Sequence, residues 1–131
     1  MITTLYTVEQ ARMMSPLQLA YIGDAVHAML VRQHLLCKNM NVKKMHLKSV
    51  QAVCAVQQNK ALEQIIPLLD EEELAIVKRG RNAHAHHGGP KSATVSEYAG
   101  ATALEALLGY LYLIQDLRKL QQLLPYLVPE D

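Results

Sequence analysis

Two carboxylates could do chemistry together in this chain, because each is the one acid in a long apolar segment. Asp24 lies within residues 17–31, and Glu105 lies within residues 98–114. A carboxylate among apolar side chains needs a compensating partner, since losing its hydration is costly. Two such acids placed face to face would also raise each other's pKa. A divalent cation between them would remove that cost, and Mg²⁺ suits a site with few carboxylates and several waters.

The alternative for each acid is a nearby cation, and Arg81 or His27 is available to pair with it. For a single isolated acid this would be the simpler interpretation. For two acids, each flanked by small residues that let helix backbones approach closely, we favour the metal. The small residues are Ala20, Gly23, Ala25 and Ala28 around Asp24, and Ala101, Thr102, Ala106 and Gly109 around Glu105.

Both acidic segments are predicted to be helices, because each begins with a capping box. The signals are Ser15, Pro16 and Gln18 for a helix over residues 15–36, and Thr94 with Glu97 for a helix to about residue 115. A helix that is apolar on all sides is normally buried. We therefore expect the first helix, with Asp24 in it, to lie in the core.

Shorter helices are expected along the rest of the chain. They are residues 7–14, one or two helices within 42–59, residues 60–66 starting after Asn59, residues 70–81 with Gly80 as the stop signal at the end, and residues 117–124 ending before Pro125. Residues 82–93 contain Gly-Gly-Pro and no periodicity, which is typical of a loop. Phe and Trp are absent, which favours packed helices over strands. We predict an all-α fold with one domain over residues 1–131.

Composition narrows the class of protein further. No apolar run is long enough to span a membrane and no cleavable signal is visible, so we expect a cytoplasmic protein. Cys37 and Cys54 have no spacing typical of a disulfide framework and are expected to be reduced residues in or near the core. No Ser/His/Asp or Cys/His motif is present, so no side-chain nucleophile is expected.

Although the net charge is only +1, the chain contains two basic tracts without acids. One lies between Asp24 and Glu63, and the other between Glu73 and Glu97. Such tracts indicate either a surface for a polyanion such as nucleic acid or a solvated face of scattered lysines. The second tract also holds His84, His86 and His87, which we interpret as solvated histidines, since zinc sites usually add a Cys or a distant ligand.

Two motifs now carry a resemblance to a known family. Tyr21-Ile22-Gly23-Asp24-Ala25-Val26 resembles the signature helix of the ribonuclease III family, and Glu105-Ala106-Leu107-Leu108-Gly109 resembles its second catalytic helix. The segment Arg79-Gly80-Arg81-Asn82, the length and the lack of a double-stranded-RNA-binding domain are similar to the Mini-III branch, whose members mature large-subunit ribosomal RNA precursors. The resemblance covers nearly the whole chain.

The resemblance implies a dimeric all-α bundle that cleaves double-stranded RNA with Mg²⁺, leaves 5′-phosphates, and matures the 23S ribosomal RNA precursor, with a ribosomal protein as a possible partner. Asp24 and Glu105 match the metal-binding catalytic acids, and Tyr21 matches the aromatic that enters the partner subunit. Larger members carry acids where this chain has Ala20 and Thr102. Thr102 could instead position a water at the metal.

Double-helical RNA presents phosphates and 2′-hydroxyls, which basic and polar side chains can contact. The predicted RNA-binding residues are Lys78, Arg79, Arg81, Asn82, His84, His86, His87 and Lys91, with Lys43, Lys44 and Lys48 as further contributors. Two alternatives stay open from the sequence. One is a non-catalytic RNA-binding or ribosome-assembly module with this fold, which the loss of acids at Ala20 and Thr102 favours. The other is a helical dimer with no nucleic-acid role.

Overall fold

The computed structural model describes residues 6–84 and 93–129. The helices in these ranges are α1 (Val8–Met13), α2 (Pro16–Leu36), α3 (Val42–Val53), α4 (Ala55–Ile65), α5 (Glu71–His84), α6 (Val95–Leu113) and α7 (Leu117–Leu123), with 3₁₀ turns at Ile66–Leu68 and Leu124–Tyr126. No strand occurs in these ranges, so the all-α prediction is confirmed. No helix of the described residues is long and apolar enough to cross a bilayer. That residues 1–131 form one domain stays a prediction.

The predicted capping boxes start the helices that carry the acids. At α2, the Gln18 backbone N–H donates to Ser15 Oγ at 3.1 Å and the Ser15 N–H donates to Gln18 Oε1 at 3.2 Å. At α6, Thr94 and Glu97 exchange the equivalent bonds at 2.9 and 3.0 Å. These bonds satisfy two of the backbone donors that a helix start leaves unpaired.

Three predicted boundaries are wrong. Helix α4 begins at Ala55 and runs through Asn59 to Ile65, so Asn59 does not start a helix. Helix α5 runs through Gly80 to His84, so the predicted loop does not begin at residue 82. Gly80 does not stop this helix because it serves packing: a Cβ there would lie 2.8 Å from Ala103 Cα of α6.

Helix α6 is the centre of the packing. It contacts α2, α5 and α4 more extensively than any other helix pair does among the described residues, and eleven of its residues are buried. Leucines such as Leu104, Leu107 and Leu111 have no exposed surface there. The sequence predicts this burial correctly, since a helix that is apolar on all sides must be surrounded.

Helix α2 differs from the prediction, because it is buried on one face only. Leu19, Val26 and Leu30 lie in the core, whereas Tyr21 is 85 % exposed and Met29 is 52 % exposed. Both cysteines are also exposed and free, at the C-terminal end of α2 and between α3 and α4. The prediction that Cys37 and Cys54 lie in or near the core is therefore wrong.

Candidate active site

The site is built where α2 and α6 cross, and two glycines allow the crossing. A Cβ on Gly23 would overlap the Glu105 carbonyl oxygen, and a Cβ on Gly109 would overlap the Leu19 carbonyl oxygen. The two glycine backbones therefore lie in direct contact, with no room for any side chain. Asp24 follows Gly23 in the sequence, so the close crossing brings its side chain to Glu105.

Asp24 and Glu105 form one carboxyl pair. Glu105 is partly buried, while Asp24 is exposed. Burial raises the pKa of Glu105 to about 8, with further increases from the Asp24 charge and from a side-chain hydrogen bond to Asp24. The prediction that Asp24 is buried is wrong, because Asp24 lies at the edge of the buried face of α2 rather than within it. The pair thus faces solvent on the Asp24 side and the protein interior on the Glu105 side.

Gln58 is a site residue that the sequence reasoning missed. It lies on α4, is 3 % exposed, and makes a side-chain hydrogen-bond interaction with Glu105 that lowers the Glu105 pKa, against the effects of burial and of Asp24. A signal was available in the sequence, because Gln58 falls in register with Ala61, Leu62 and Ile65, which form the buried face of α4. A glutamine at such a position needs a polar partner.

Among the described residues, no basic side chain contributes to the pKa of Glu105, which does not favour the alternative of a nearby cation. His27 is fully buried, and neither ring nitrogen has a hydrogen-bond partner within the described ranges. Burial lowers the pKa of His27 to about 4 although Asp24 raises it, so the imidazole is neutral at neutral pH. Arg81 has a buried Nε without a hydrogen-bond partner in the same ranges, so that atom is bonded to neither acid.

The donor set fits a divalent cation with a largely open coordination sphere. The two carboxyl groups are adjacent, no basic side chain of the described residues contributes to the pKa of Glu105, and Asp24 is reachable from solvent. Within residues 6–84 and 93–129, no group of three His, Cys, Asp or Glu side chains could hold a metal. Mg²⁺ is commonly held by one or two carboxylates with waters and substrate phosphates as the other ligands. The two acids fit that pattern, and no zinc site is found in the part of the chain that the structure describes.

The predicted RNA-binding residues are distributed over two helices. Lys78 and Asn82 are exposed on α5, one turn apart, and Lys43 and Lys44 are exposed at the start of α3. Lys48 is partly buried on α3. His84 ends α5, whereas His86, His87 and Lys91 lie outside the described residues.

The Arg79 side chain makes two hydrogen bonds within the protein. Its Nη1 donates to the Arg12 carbonyl oxygen at 2.6 Å, and its Nη2 donates to the Met14 carbonyl oxygen at 2.7 Å. These two carbonyls belong to the end of α1 and the residue before the α2 cap. The guanidinium therefore joins α5 to the α1–α2 corner, and the RNA contact of Arg79 stays a prediction.

Tyr21 and Thr102 each lie one turn before an acid but in opposite surroundings. Tyr21 is 85 % exposed on the outer face of α2, and Thr102 is buried within α6. Ala20, one turn before Asp24, is also buried. The protein thus presents two carboxylates at the crossing, with a small side chain and a hydroxyl one turn before them.

Comparisons with known proteins agree with this geometry. Residues 17–116 match the family model described as Ribonuclease III domain. The chain is 36 % identical to the Mini-ribonuclease 3 of Clostridium tetani over 94 % of this chain and 82 % of that protein. It is 44 % identical to the Mini-ribonuclease 3 of Symbiobacterium thermophilum over 83 % and 84 % of the two chains. A crystal structure of a Fusobacterium nucleatum protein is similar, with a TM-score of 0.77, 34 % identity and coverage of 87 % and 91 %.

Proposed function

Because the chain belongs to the ribonuclease III family and is an endoribonuclease, we propose that it cleaves double-stranded RNA with Mg²⁺ held by Asp24 and Glu105. The observation that carries the proposal is the pair of carboxyl groups at the α2–α6 crossing, where no basic side chain from residues 6–84 or 93–129 contributes to the pKa of Glu105. The family is dependent on divalent metals, and both acids belong to the segments that resemble its motifs.

The chemistry requires no side-chain nucleophile. Bound Mg²⁺ would supply an acidified water for attack on the phosphodiester and would neutralise charge on the phosphate. Asp24 and Glu105 hold the cation, and the exposure of Asp24 leaves the site accessible to a bulky RNA backbone. Thr102 is one turn from Glu105 on α6, from where its hydroxyl could hold a water. The expected products carry a 5′-phosphate and a 3′-hydroxyl.

RNA is bound, in this proposal, through phosphates and 2′-hydroxyls rather than base edges. The described residues assigned to this contact are Lys78, Arg79, Arg81, Asn82, Lys43, Lys44 and Lys48, of which Lys78, Asn82, Lys43 and Lys44 are exposed. His84, His86, His87 and Lys91 complete the set that we propose from the sequence. Because such contacts release counterions, binding should weaken steeply with salt.

The working form that we propose is a homodimer formed through the outer face of α2. This face carries Leu17, Tyr21, Met29 and Leu36 in an exposed apolar stripe at helical spacing. The stripe borders a groove of about 300 Å³ between α2 and α3. Exposed apolar surface of this kind marks an interface, and a second copy would place a second site on the same duplex.

The natural substrate that we propose is the precursor of 23S ribosomal RNA in the cytoplasm, with a ribosomal protein as a helper. The resemblance to Mini-III ribonucleases supports this choice of substrate. A non-catalytic RNA-binding or assembly module has less support, since the similar proteins are named as ribonucleases.

One assay tests the proposal. Long duplex RNA is incubated with the protein, with and without Mg²⁺, beside Asp24→Asn, which keeps the side-chain volume and removes the charge. We expect metal-dependent cleavage that falls by about 10³-fold or more in the variant, since one ligand and its charge are lost. Binding without cleavage by the wild-type protein would favour the module, and neither binding nor cleavage would favour a helical dimer without a nucleic-acid role.

A further inference from the structure

Arg32 is an exposed charge on the outer face of α2, the face through which we propose that the protein dimerises. It follows Tyr21 by eleven residues and precedes Leu36 by four, so the three side chains lie on the same side of the helix. Three concavities of about 300, 140 and 450 Å³ open on this face, and Arg32 lines all three. A mostly apolar surface that includes an arginine has the composition of a protein interface, where arginine is enriched and most other charged residues are depleted.

The Arg32 side chain forms no salt bridge and no hydrogen bond with any residue that the structure describes. Water satisfies an exposed guanidinium, but a second copy packed on this face would remove that water. A cation covered in this way needs an anionic partner, because an unpaired buried charge is strongly unfavourable. The dimer that we propose therefore has to supply an acid to Arg32.

Symmetry limits which acid this can be. In a two-fold dimer the same patch of both copies is buried, so the acid belongs to the face formed by α2 and α3 of the second copy. Asp24 is the one acid in α2, α3 has none, and no acid occurs in residues 25–62. Asp24 is also exposed, at the edge of this face. Asp24 of the partner subunit is therefore the acid that can reach Arg32, and the same pairing is repeated at the other site.

The spacing along α2 gives this pairing a register. Ala28 lies midway between Asp24 and Arg32, four residues from each. Two α2 helices that cross antiparallel at Ala28 would bring residue 24 of one copy opposite residue 32 of the other. The same crossing would set Tyr21, which is 85 % exposed, opposite the partner's Leu35, and Leu35 lines the concavity of about 300 Å³. The small side chain of Ala28 lets the helices approach closely, so one register serves both the charges and the aromatic ring.

We propose that each active centre is completed by Arg32 of the partner subunit, which lies beside Asp24 when the two α2 helices cross antiparallel at Ala28. The inference rests on the proposed dimer and on the proposed metal site of Asp24 and Glu105. A guanidinium binds a phosphate through two parallel hydrogen bonds and keeps its charge at every relevant pH. Without RNA it is the counter-charge of Asp24, and with RNA bound it would hold the phosphate and balance the charge that develops there. The site is therefore incomplete without the second copy.

Mixed dimers test whether Arg32 acts across the interface. The first combines an Asp24→Asn subunit with an Arg32→Ala subunit, purified through two different affinity tags. In the proposed arrangement the Arg32→Ala subunit keeps its own Asp24 and receives an intact Arg32 from its partner, so one complete site remains. We expect about half of the wild-type rate of strand cleavage in duplex RNA, whereas each variant homodimer loses about 100-fold or more.

The matched control carries both substitutions, Asp24→Asn and Arg32→Ala, on one subunit beside a wild-type subunit. Both sites are then incomplete, because the wild-type subunit receives the substituted residue 32, and cleavage should fall by about 100-fold. Sedimentation equilibrium checks that each combination is dimeric. If Arg32→Ala does not dimerise, Arg32→Lys replaces it in both mixed dimers, since lysine keeps the charge but not the paired donors, and a loss of about tenfold is expected.

A cross-link tests the register without RNA or activity. In protein carrying Cys37→Ser and Cys54→Ser, Ala28→Cys should form a disulfide between subunits on mild oxidation, since a disulfide requires Cα atoms within about 7 Å. Gln33→Cys, at an exposed position of the same helix, is the control. Its two copies would lie about 15 Å apart along the antiparallel helices and should stay unlinked.

An active first mixed dimer, an inactive control and a cross-link at Ala28 together support the proposal. The reverse order of activities would show that Arg32 acts within its own subunit, and full activity of the Arg32→Ala homodimer would show that it acts at neither site; both overturn the proposal. A dimeric protein without the cross-link at Ala28 would overturn it as well. A wild-type protein that does not cleave duplex RNA would overturn the proposed function, while the cross-link would still decide how the two α2 helices pack.

Discussion

Helices α2 and α6 are both strongly apolar and each carries one acid of the site, yet they have different environments. Helix α6 is surrounded by α2, α4 and α5, and its acid Glu105 is partly buried with a raised pKa. Helix α2 is buried on one face, keeps Tyr21 exposed on the other, and holds the exposed Asp24 at the edge between them. The difference shows that an apolar helix can lie in the core or cover only part of it. The carboxyl group that the helix carries is then partly buried in the first case and exposed in the second.

The two helices have complementary parts in the site. The buried helix supplies an acid whose charge is costly without a cation, and the exposed helix supplies an acid that solvent and a large substrate can reach. A partly buried ligand holds its geometry well, because packing limits its movement. The comparison therefore predicts different consequences for changes on each side of the crossing.

The largest effect is expected from adding a methyl group at the crossing. In Gly109→Ala the new Cβ would overlap the Leu19 carbonyl oxygen of α2. Backbone atoms cannot move aside as a side chain can, so we expect a loss of about 3 kcal/mol or more in the free energy of unfolding. Urea denaturation followed by circular dichroism measures it.

The matched control is Gly100→Ala, the same substitution on the same helix. Its Cβ would meet the Asn59 side chain, which can change rotamer. We expect a loss at least twofold smaller than that of Gly109→Ala. Equal effects of the two substitutions would mean that the helix crossing is not the tight contact that joins the two acids.

The sequence predicts α6 better than α2, and the reason is physical. A capping box depends only on two residues three apart, so it can be recognised in the sequence before the fold is known. The predicted helix starts at Ser15 and Thr94 are confirmed. The pairing of Gly23 with Gly109 is anticipated from small residues near each acid. The apolar pattern does not reveal the exposed half of α2, because exposed and buried apolar side chains look alike in a single sequence. Only the family resemblance set Tyr21 apart.

Contacts between distant segments explain the remaining errors. Gly80 looks like a helix stop until Ala103 is known to pack against it, and the two backbone acceptors of Arg79 are not visible in the sequence. Gln58 was missed because its partner Glu105 lies on another helix. In each case the local residue pattern is compatible with two roles, and the tertiary neighbour decides between them.

The second largest effect is a pH dependence of the free energy of unfolding, which follows from the raised pKa of Glu105 and is expected when no divalent metal is bound. The folded protein binds a proton at Glu105 up to about pH 8, whereas the unfolded chain loses it near the ordinary value of 4.5. Unfolding then releases a proton, so the free energy of unfolding should fall as pH rises from 4.5 to 8. His27 contributes in the opposite direction between pH 4 and 6.5, so the window from pH 6.5 to 8 isolates Glu105.

Glu105→Gln is the comparison for this prediction. In EDTA, the wild-type melting temperature should fall relative to that of the variant between pH 6.5 and pH 8, and millimolar Mg²⁺ should reduce the difference. If the melting temperatures of the wild-type protein and the variant change with pH in the same way across this window, with and without metal, Glu105 is not an acid whose ionised form is destabilised by burial and by Asp24.

A smaller effect on the free energy of unfolding is expected from replacing Arg79, and it should be absent when its exposed neighbour Lys78 is replaced. Arg79→Ala removes two hydrogen bonds from a charged donor to the α1–α2 corner, and we expect about 2 kcal/mol of destabilisation. Lys78→Ala should leave stability within about 0.5 kcal/mol and reduce the salt dependence of RNA binding by about one ion. Urea denaturation and binding at several salt concentrations measure the two effects. A reduced salt dependence in Arg79→Ala without loss of stability would support the predicted RNA contact.

The smallest effect on the folded chain itself is expected at Tyr21, on the exposed side of α2. With 85 % of its surface accessible, Tyr21 contributes little to the core, so Tyr21→Ala should change the free energy of unfolding of the monomer by no more than about 0.5 kcal/mol. Its effect should instead appear in assembly, as a dimer dissociation constant raised about tenfold or more in sedimentation equilibrium. Tyr6→Ala removes another exposed tyrosine, which precedes α1, and should leave the dimer unchanged. A Tyr21→Ala protein that remains a fully active dimer would show that the exposed face of α2 is not the interface, and that one helix does not serve both the metal and the partner subunit.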